Sequence, residues 1–377
     1  MSTSTTASRR HTSATKARPA DRIFKFLATA AAWSIMVVLA GVAIFLVARA
    51  LPALFTNWTT NPNLNRDFTA GFANFWAYVG PLAFGTIWAS LLALVMATPV
   101  AIGIALFISH YSPRKLANAL GYVVDLLAAV PSVVFGLWGI FVMRDFLKPL
   151  QQWLNHNLGW IPLFQGEVTS TGSSILTGAV VLAVMILPII TSISREIFLQ
   201  TPKLHEEAAL ALGSTRWEMI RLAVFPYARS GVVSAILLGL GRAMGETMAL
   251  AMIISPAVIV SFTLVTEGQN PQTVAANIAL NFPIATDEGR AALIGTGLLL
   301  FVISFAVNFV ARAIVNRQPN SSRKKKKSPA TAAELPGAHT LDDAAASPLE
   351  ALHPRVPAGE SAVSITEVTD VIEGASK

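Results

Sequence analysis

The sequence predicts an all-α integral membrane protein with six membrane-spanning helices, and three observations lead to that fold class. Hydrophobic residues make up 53% of the 377 residues, charged residues make up only 13%, and the mean hydropathy is +0.57. A soluble domain carries roughly 25% charged residues. Six apolar segments have about the 20 residues that a helix needs to cross a bilayer. Lys and Arg are concentrated on one side of those segments.

The six segments divide the chain into an arm, a membrane domain and a tail. They lie at about residues 28–48, 82–108, 121–143, 173–193, 231–255 and 291–312. Pro99 predicts a tilt or kink in the second segment, and Pro131 predicts a bend in the third. We expect a basic arm at residues 1–27, a six-span domain at 28–314 and a tail at 315–377. The arm and the tail are predicted to be disordered because small and polar residues dominate them.

The distribution of Lys and Arg predicts the orientation of the spans. Twenty of these residues lie in the arm, in the second and fourth gaps and on the C-terminal side, whereas the alternate gaps contain five. Because cytoplasmic loops carry the excess of positive residues, both termini and the loop after the fourth segment are predicted to be cytoplasmic. Ala48-Arg49-Ala50 has the form of a signal-peptidase site. The apolar run before it, about 21 residues, is longer than a signal h-region, so we expect a retained span.

Several kinds of site are excluded by residues that the sequence lacks or scatters. It has no cysteine, which excludes disulfides and thiolate metal ligands. The six histidines show no metal-ligand spacing, and neither an ATP-binding phosphate loop nor a hydrolase motif occurs in the spans. The net charge of +7 arises mainly beside the spans. We therefore expect no metal, cofactor, enzymatic activity or nucleic-acid partner, and a chain surrounded by the lipid bilayer.

Residues 202–226 predict two short helices separated by a glycine. Pro202 suits the first turn of a helix, and Gly213 can adopt the left-handed conformation that ends one. Thr215 followed by Glu218 is the pattern of a capping box that starts a second helix, and Pro226 is expected to stop it. Such a segment between two spans would offer a rigid surface to a soluble partner.

Two ionisable residues lie in the middle of the fifth segment, where a charge is costly. Arg242 and Glu246 are one turn apart, and a continuous helix would place both on a face of small residues, opposite a bulky apolar face. Small residues permit close helix contacts, so the charged face is predicted to look into an interface or an aqueous path. Two interpretations remain open: an ion pair that cancels its own charge, or a guanidinium available to an oxyanion.

Asp125, near the cytoplasmic end of the third segment, is a weaker candidate for the same path. A capping role or a surface role is the alternative interpretation of this residue.

The loop after the fourth segment resembles the EAA loop of ABC importer permeases. That pattern is matched in register by Glu207, Ala208, Ala209, Gly213 and Pro226, whereas Ala223 and Phe225 replace the usual Ile and Leu. Two further stretches, GYVVDLLAAVPSVVFGLWGI at 121–140 and GRAMGETMA at 241–249, resemble the C-like permease subunit of phosphate-specific ABC importers, the Pst type. The similarity covers roughly residues 80–312.

The resemblance implies a permease subunit in a bacterial cytoplasmic membrane. It implies a second homologous permease subunit, two ATP-binding subunits on the cytoplasmic side and a phosphate-binding protein outside. It also implies that Arg242 and Glu246 matter for transport and that the EAA loop couples to the ATPase. Two alternatives remain open: a permease for another oxyanion such as sulfate or molybdate, and a non-transporting membrane scaffold in phosphate signalling.

Overall fold

The computed structural model describes residues 19–316, except residues 62–63, 65–66, 70, 255–256 and 267. The side chains of residues 19–22, 311 and 314–316 are not described either. Most of the predicted arm and the tail from residue 317 onward lie outside the described residues, so the expectation of disorder there stays a prediction. The last part of the arm belongs to a helix that begins at Pro19, where proline suits the first turn.

Within these bounds the chain is helical and no β-strand forms, so the all-α fold class is confirmed. The helices are α1 (Pro19–Phe55), α2 (Phe75–Leu106), α3 (Arg114–Ala128), α4 (Ser132–Trp138), α5 (Arg144–Leu158), α6 (Ile175–Leu199), α7 (Lys203–Ala211), α8 (Arg216–Met219), α9 (Phe225–Met244), α10 (Met248–Ile253), α11 (Val274–Asn281) and α12 (Asp287–Asn316). π-Helical turns at Phe107–Tyr111, Gly139–Met143 and Ile220–Val224 extend α2, α4 and α8, and 3-10 turns occupy Asp67–Thr69 and Pro162–Phe164.

Five helical stretches in the described part of the chain are long and apolar enough to cross a membrane. They are Ile23–Phe55, Phe75–Tyr111, Ile175–Leu199, Arg216–Met244 and Asp287–Val310. A sixth span is possible if α3 and the stretch Ser132–Leu158, which meet at 91°, count as one. The chain is therefore a multi-pass membrane protein.

The bend in the sixth candidate span has a local cause at Pro131. This proline immediately precedes α4, and it disfavours the helical conformation of Val130 because its ring crowds the preceding residue. The predicted segment 121–143 therefore contains a break and is not one straight helix. Beyond the bend, α4 packs closely on α10, since a side chain at Gly136 would lie 3.1 Å from Cα of Ala249.

The fifth predicted segment, 231–255, is not one helix either. α9 ends at Met244, and α10 begins at Met248 after the break Gly245–Thr247. Gly241 and Gly245 lower helix propensity by roughly 1 kcal/mol each relative to alanine. The Glu246 side chain accepts the Ala249 N–H at 3.1 Å and so starts a new helix in the manner of a cap.

The centre of the bundle is formed by α2, α6 and α9. Small residues recur every fourth position along the buried face of α2, at Ala89, Ala93, Ala97 and Ala101. They allow α6 to approach closely, as is usual for helix contacts in membranes. α1 packs along α12 at the periphery, and none of its most apolar window is buried, so this helix presents its surface to lipid or to another subunit.

The long connection between α10 and α11 is fixed to the end of the bundle at which α6 begins. Asn270 accepts the Ile175 N–H at 2.9 Å and donates to the Ser173 carbonyl oxygen at 3.0 Å. The Val274 N–H donates to the Thr86 hydroxyl at 2.9 Å. These bonds satisfy buried backbone groups and define what we call the α10 end of the bundle. The opposite end, where α6 ends and α9 begins, is the α7 end.

Candidate functional site

The helix–Gly–helix segment forms as its local sequence predicts. Gly213 follows α7 with φ +85°, and its N–H donates to the Leu210 carbonyl at 2.9 Å. The Ser214 N–H donates to the Ala209 carbonyl at 3.3 Å, which completes a helix-ending turn. An added Cβ at Gly213 would contact nothing within 4 Å. Backbone conformation, and not space, therefore requires glycine at this position.

The second helix of the segment starts with the predicted capping box. The Glu218 side chain accepts the Thr215 N–H at 2.8 Å, and the Glu218 N–H donates to the Thr215 hydroxyl at 3.3 Å. The expectation that Pro226 ends this helix is wrong, because the helical stretch continues from Arg216 to Met244. Pro226 lies in the first turn of α9, directly after a π-helical turn, where its missing N–H is tolerated.

α7 and the start of α9 enclose a groove of about 1030 Å³ that opens at the α7 end. Four of the five predicted coupling residues line it, namely Ala208, Ala209, Gly213 and Pro226. Glu207 is exposed beside it. Large apolar side chains also face solvent here, with Leu212 90% exposed and Leu204 75% exposed. An exposed apolar surface of this kind is typical of a site that interacts with another protein or with the membrane.

One contact between α7 and the core was not predicted from the sequence. Glu206 lies 3.6 Å from Nε2 of the buried His110 side chain, at the end of the π-helical turn that extends α2. The His110 ring also packs edge-on against Phe198 of α6, at 6.4 Å between centroids. No sequence pattern relates residues so far apart in the chain. The contact connects the helix–Gly–helix segment to α2 and α6.

Arg242 faces a groove of about 1180 Å³ between α9 and α12, with Ile189 of α6 on one side. The depth of Arg242 in the membrane region follows from the packing of Gly239, where an added Cβ would lie 2.8 Å from the Ile190 side chain. Ile190 is near the middle of α6, so Arg242, less than one turn further along α9, lies near mid-span. The side chain is exposed to the groove, and within the described part of the chain no hydrogen bond or ion pair engages it.

Glu246 does not share a face with Arg242. The chain leaves the helix at Met244, so the helical-wheel position predicted for Glu246 does not exist. Its side chain is 7% exposed and bonds the Ala249 N–H in the break. Among described residues no ion pair joins Glu246 to Arg242. The intrahelical ion pair, one of the two interpretations left open by the sequence, is therefore not formed.

Asp125 belongs to neither groove. It is exposed on α3, one turn from Gly121, on which the Arg195 guanidinium packs. No ion pair or hydrogen bond between described residues involves Asp125. This placement favours the surface role over a place in the path of a substrate.

Two arginines outside the predicted set also have defined positions. Arg312 lines the groove with Arg242, on the face of α12 formed by Phe305, Asn308 and Phe309; the i, i+3, i+4, i+7 spacing was a signal that could have revealed it. Arg144 donates from Nη2 to the carbonyl oxygens of Met252 at 3.0 Å and Ile253 at 2.6 Å. It thereby caps the C-terminal end of α10.

Both grooves lie in a part of the chain that is similar to known proteins. The family model described as "Binding-protein-dependent transport system inner membrane component" matches residues 97–318. The chain belongs to this family. The part shared with other binding-protein-dependent transport components runs from the second half of α2 through α12. It therefore contains the helix–Gly–helix segment, Arg242 and Arg312, whereas α1 lies outside it.

Several relatives of this transport component are similar along most of their length. The phosphate transport system permease protein PstC 2 of Mycobacterium tuberculosis is 47% identical over 307 residues, which cover 81% of this chain and 94% of that protein. The PstC protein of Mycobacterium leprae is 45% identical, with 80% and 95% covered. The PstC protein of Xylella fastidiosa strain Temecula1 is 39% identical, with 79% and 91% covered.

Proposed function

We propose that this chain is the permease subunit of an ATP-driven importer of inorganic phosphate and that Arg242 binds the ion at mid-span. The observation that carries the proposal is the Arg242 guanidinium, exposed to a groove inside the membrane region with no partner among the described residues. An unpaired charge at this depth is costly. Its retention is explained if a substrate anion supplies the missing charge during transport.

The groove has the chemistry of an anion path. Its described lining contains two arginines, Arg242 and Arg312, and neither Asp nor Glu. A guanidinium presents a planar pair of donors that matches two oxygens of a tetrahedral oxyanion. The groove is open along its side, as expected of half a pore. A second permease subunit of similar fold would close it.

The relatives support phosphate over other oxyanions, because all three are named phosphate transport permeases. A feature of the groove agrees with this choice. The Ser234 hydroxyl donates to the Ser230 carbonyl at 2.9 Å, so its oxygen remains an acceptor for a substrate hydroxyl. Phosphate is protonated near neutral pH and can donate such a bond. Sulfate and molybdate are unprotonated there and cannot.

The helix–Gly–helix segment is the proposed docking surface for an ATPase subunit. It combines a rigid turn at Gly213, exposed apolar side chains and a groove of its own. Two ATP-binding subunits would bind on the cytoplasmic side, one on each permease, and a phosphate-binding protein would deliver the ion on the opposite side. In this arrangement the α7 end and both termini face the cytoplasm of a bacterium.

A non-transporting scaffold in phosphate signalling is the alternative of a different class. Such a protein has no need of an unpaired arginine at mid-span. The test is uptake of radiolabelled phosphate by cells that lack this chain, complemented with the wild-type chain, with Arg242→Gln or with Lys115→Gln. Lys115 is an exposed cation on α3, outside both grooves, and serves as the control.

We expect uptake to be restored by the wild type and by Lys115→Gln but not by Arg242→Gln, and excess sulfate to leave it unchanged. Normal uptake with Arg242→Gln at equal membrane level would exclude the mid-span site. Strong competition by sulfate would favour a general oxyanion permease. Unchanged phosphate uptake in cells lacking the chain would favour the scaffold.

A further inference from the structure

The groove between α9 and α12 contains a second guanidinium that the mid-span site does not use. Arg312 lines the same groove as Arg242, and it is exposed. Within the described chain neither guanidinium donates to a protein acceptor or pairs with a carboxylate. Both are therefore available to an anion in the groove.

The two arginines lie at different heights. α12 starts at the α10 end, since a side chain at Gly295 would lie 2.8 Å from the Phe75 ring at the start of α2. Arg312 comes near the other end of α12 and shares the groove with Ser230, which is near the start of α9. Arg242 comes twelve positions after Ser230 in α9, about 18 Å along a helix axis. Arg312 is thus at the α7 end of the groove.

The space between the two arginines is lined by polar groups as well as apolar walls. Ser234 on α9 and Asn308 on α12 face the groove, each one turn from the end that Arg312 occupies. An anion leaving Arg242 would meet these groups next and Arg312 last. Rapid passage requires several sites of moderate strength, because one strong site would retain the ion.

We propose that Arg312 is a second oxyanion site, which receives phosphate from Arg242 and releases it at the α7 end. The inference rests on the proposed function, since it assumes that phosphate passes Arg242. It assigns to Arg312 a role in the exit step, distinct from a general effect of positive charge at the end of a span.

The phosphate group that Arg312 recognises has two possible sources, the transported ion and the headgroup of an anionic lipid. The test therefore uses the complete importer, with its partner permease, ATPase subunits and binding protein, reconstituted in two kinds of vesicle. One contains only zwitterionic lipid, and the other contains zwitterionic and anionic lipid. Uptake of radiolabelled phosphate is measured in both, with and without phosphate preloaded on the α7 side.

Four variants separate the exit site from a charge effect. Arg312→Gln removes the guanidinium, and Arg312→Lys keeps only the charge. A third variant combines Arg312→Gln with Asn308→Arg, which places the guanidinium one turn away on the same face of α12. In Arg312→Gln with Val310→Arg, it moves about 200° around the helix, to a position that is 55% exposed on the opposite face.

We expect Arg312→Gln to slow uptake about tenfold in both kinds of vesicle, the size of effect that loss of a charged hydrogen bond produces. Arg312→Lys should fall between Arg312→Gln and the wild type, because lysine lacks the planar pair of donors. When combined with Arg312→Gln, Asn308→Arg should restore most of the uptake rate, whereas Val310→Arg should not restore it. Preloaded phosphate should inhibit the wild type by occupying Arg312, and Arg312→Gln should raise the inhibitory concentration at least about fivefold.

Three results would overturn the proposal. Equal rescue by Val310→Arg would show that charge anywhere near the end of α12 suffices. A defect confined to vesicles with anionic lipid would identify a lipid headgroup as the ligand. Unchanged uptake and unchanged inhibition in Arg312→Gln would exclude any role in exit. Normal uptake in Arg242→Gln is a separate result, because it would refute the mid-span site itself.

Discussion

Replacing Gly213 tests whether the turn between α7 and α8 transmits work to the membrane domain. The glycine has φ +85°, and an added Cβ would contact nothing within 4 Å. The cost of a side chain is therefore purely conformational. For a residue with Cβ the left-handed conformation costs about 1–2 kcal/mol, and a β-branched side chain is least compatible with it. Asparagine tolerates this conformation best among residues with a side chain.

Phosphate uptake is predicted to decrease in the order wild type, Gly213→Asn, Gly213→Ala and Gly213→Val. At about 1.4 kcal/mol per factor of ten, Gly213→Ala should lower the equilibrium constant for the correctly turned conformation roughly fivefold to thirtyfold, and Gly213→Val should lower it further. Two measurements are required: phosphate uptake, and the amount of ATPase subunit that co-purifies with the chain. We expect both to fall in parallel while the amount of chain in the membrane stays constant.

Gly103→Val is the matched control for this series. Gly103 lies in α2 with ordinary helical geometry, and it too has nothing within 4 Å of an added Cβ. The same chemical change should leave uptake close to the wild type there. Normal uptake with normal ATPase co-purification in Gly213→Val would refute the reasoning, as would an equal loss in Gly103→Val.

Three further predictions concern the mid-span residues and the orientation. Arg242→Lys should lower uptake markedly and Arg242→Gln further, because charge without the planar fork does not bind an oxyanion bidentately; equal uptake by the Lys variant and the wild type would contradict this. Since Arg242 and Glu246 are not paired, Glu246→Gln should keep the hydrogen bond to Ala249 and a normal amount of the chain in the membrane. Combining Glu246→Gln with Arg242→Gln should not restore uptake. Near-normal uptake in the double variant would indicate a structural pair. Reporter fusions near residues 60, 160 and 275 should be external, and an internal signal at any two would invert the topology.

The features that the sequence predicts well depend on neighbours in the chain. The apolar segments need only composition and length. The turn at Gly213 and the capping box at Thr215 depend on residues three or four positions away, so they could be read directly from the sequence. The bend at Pro131 is also local, because proline restricts the residue before it.

Some of the features that were missed depend on contacts between distant residues, and others are local departures from a regular helix. The break after Met244 lies between α9 and α10, whose far end is capped by Arg144, more than one hundred positions earlier. Likewise, the groove places Arg312 beside α9 only through the packing of α12. The continuation of the helix through Pro226 required a π-helical turn, which has no clear sequence signature. Periodicity extrapolates a regular helix and so cannot anticipate these departures.

The charges at the two ends of α10 have a mechanical consequence. Glu246 binds an N–H at its start, and Arg144 binds two carbonyl oxygens at its finish. A negative group at the first turn and a positive group at the last both complement the helix dipole. This short helix is consequently fastened to α5 at one end, and the Glu246 carboxylate just before it caps the other. Along the chain, a rotation of α9 reaches α10 only through Gly245–Thr247, so we expect that tripeptide to act as a swivel between the groove that Arg242 lines and the α10 end of the bundle.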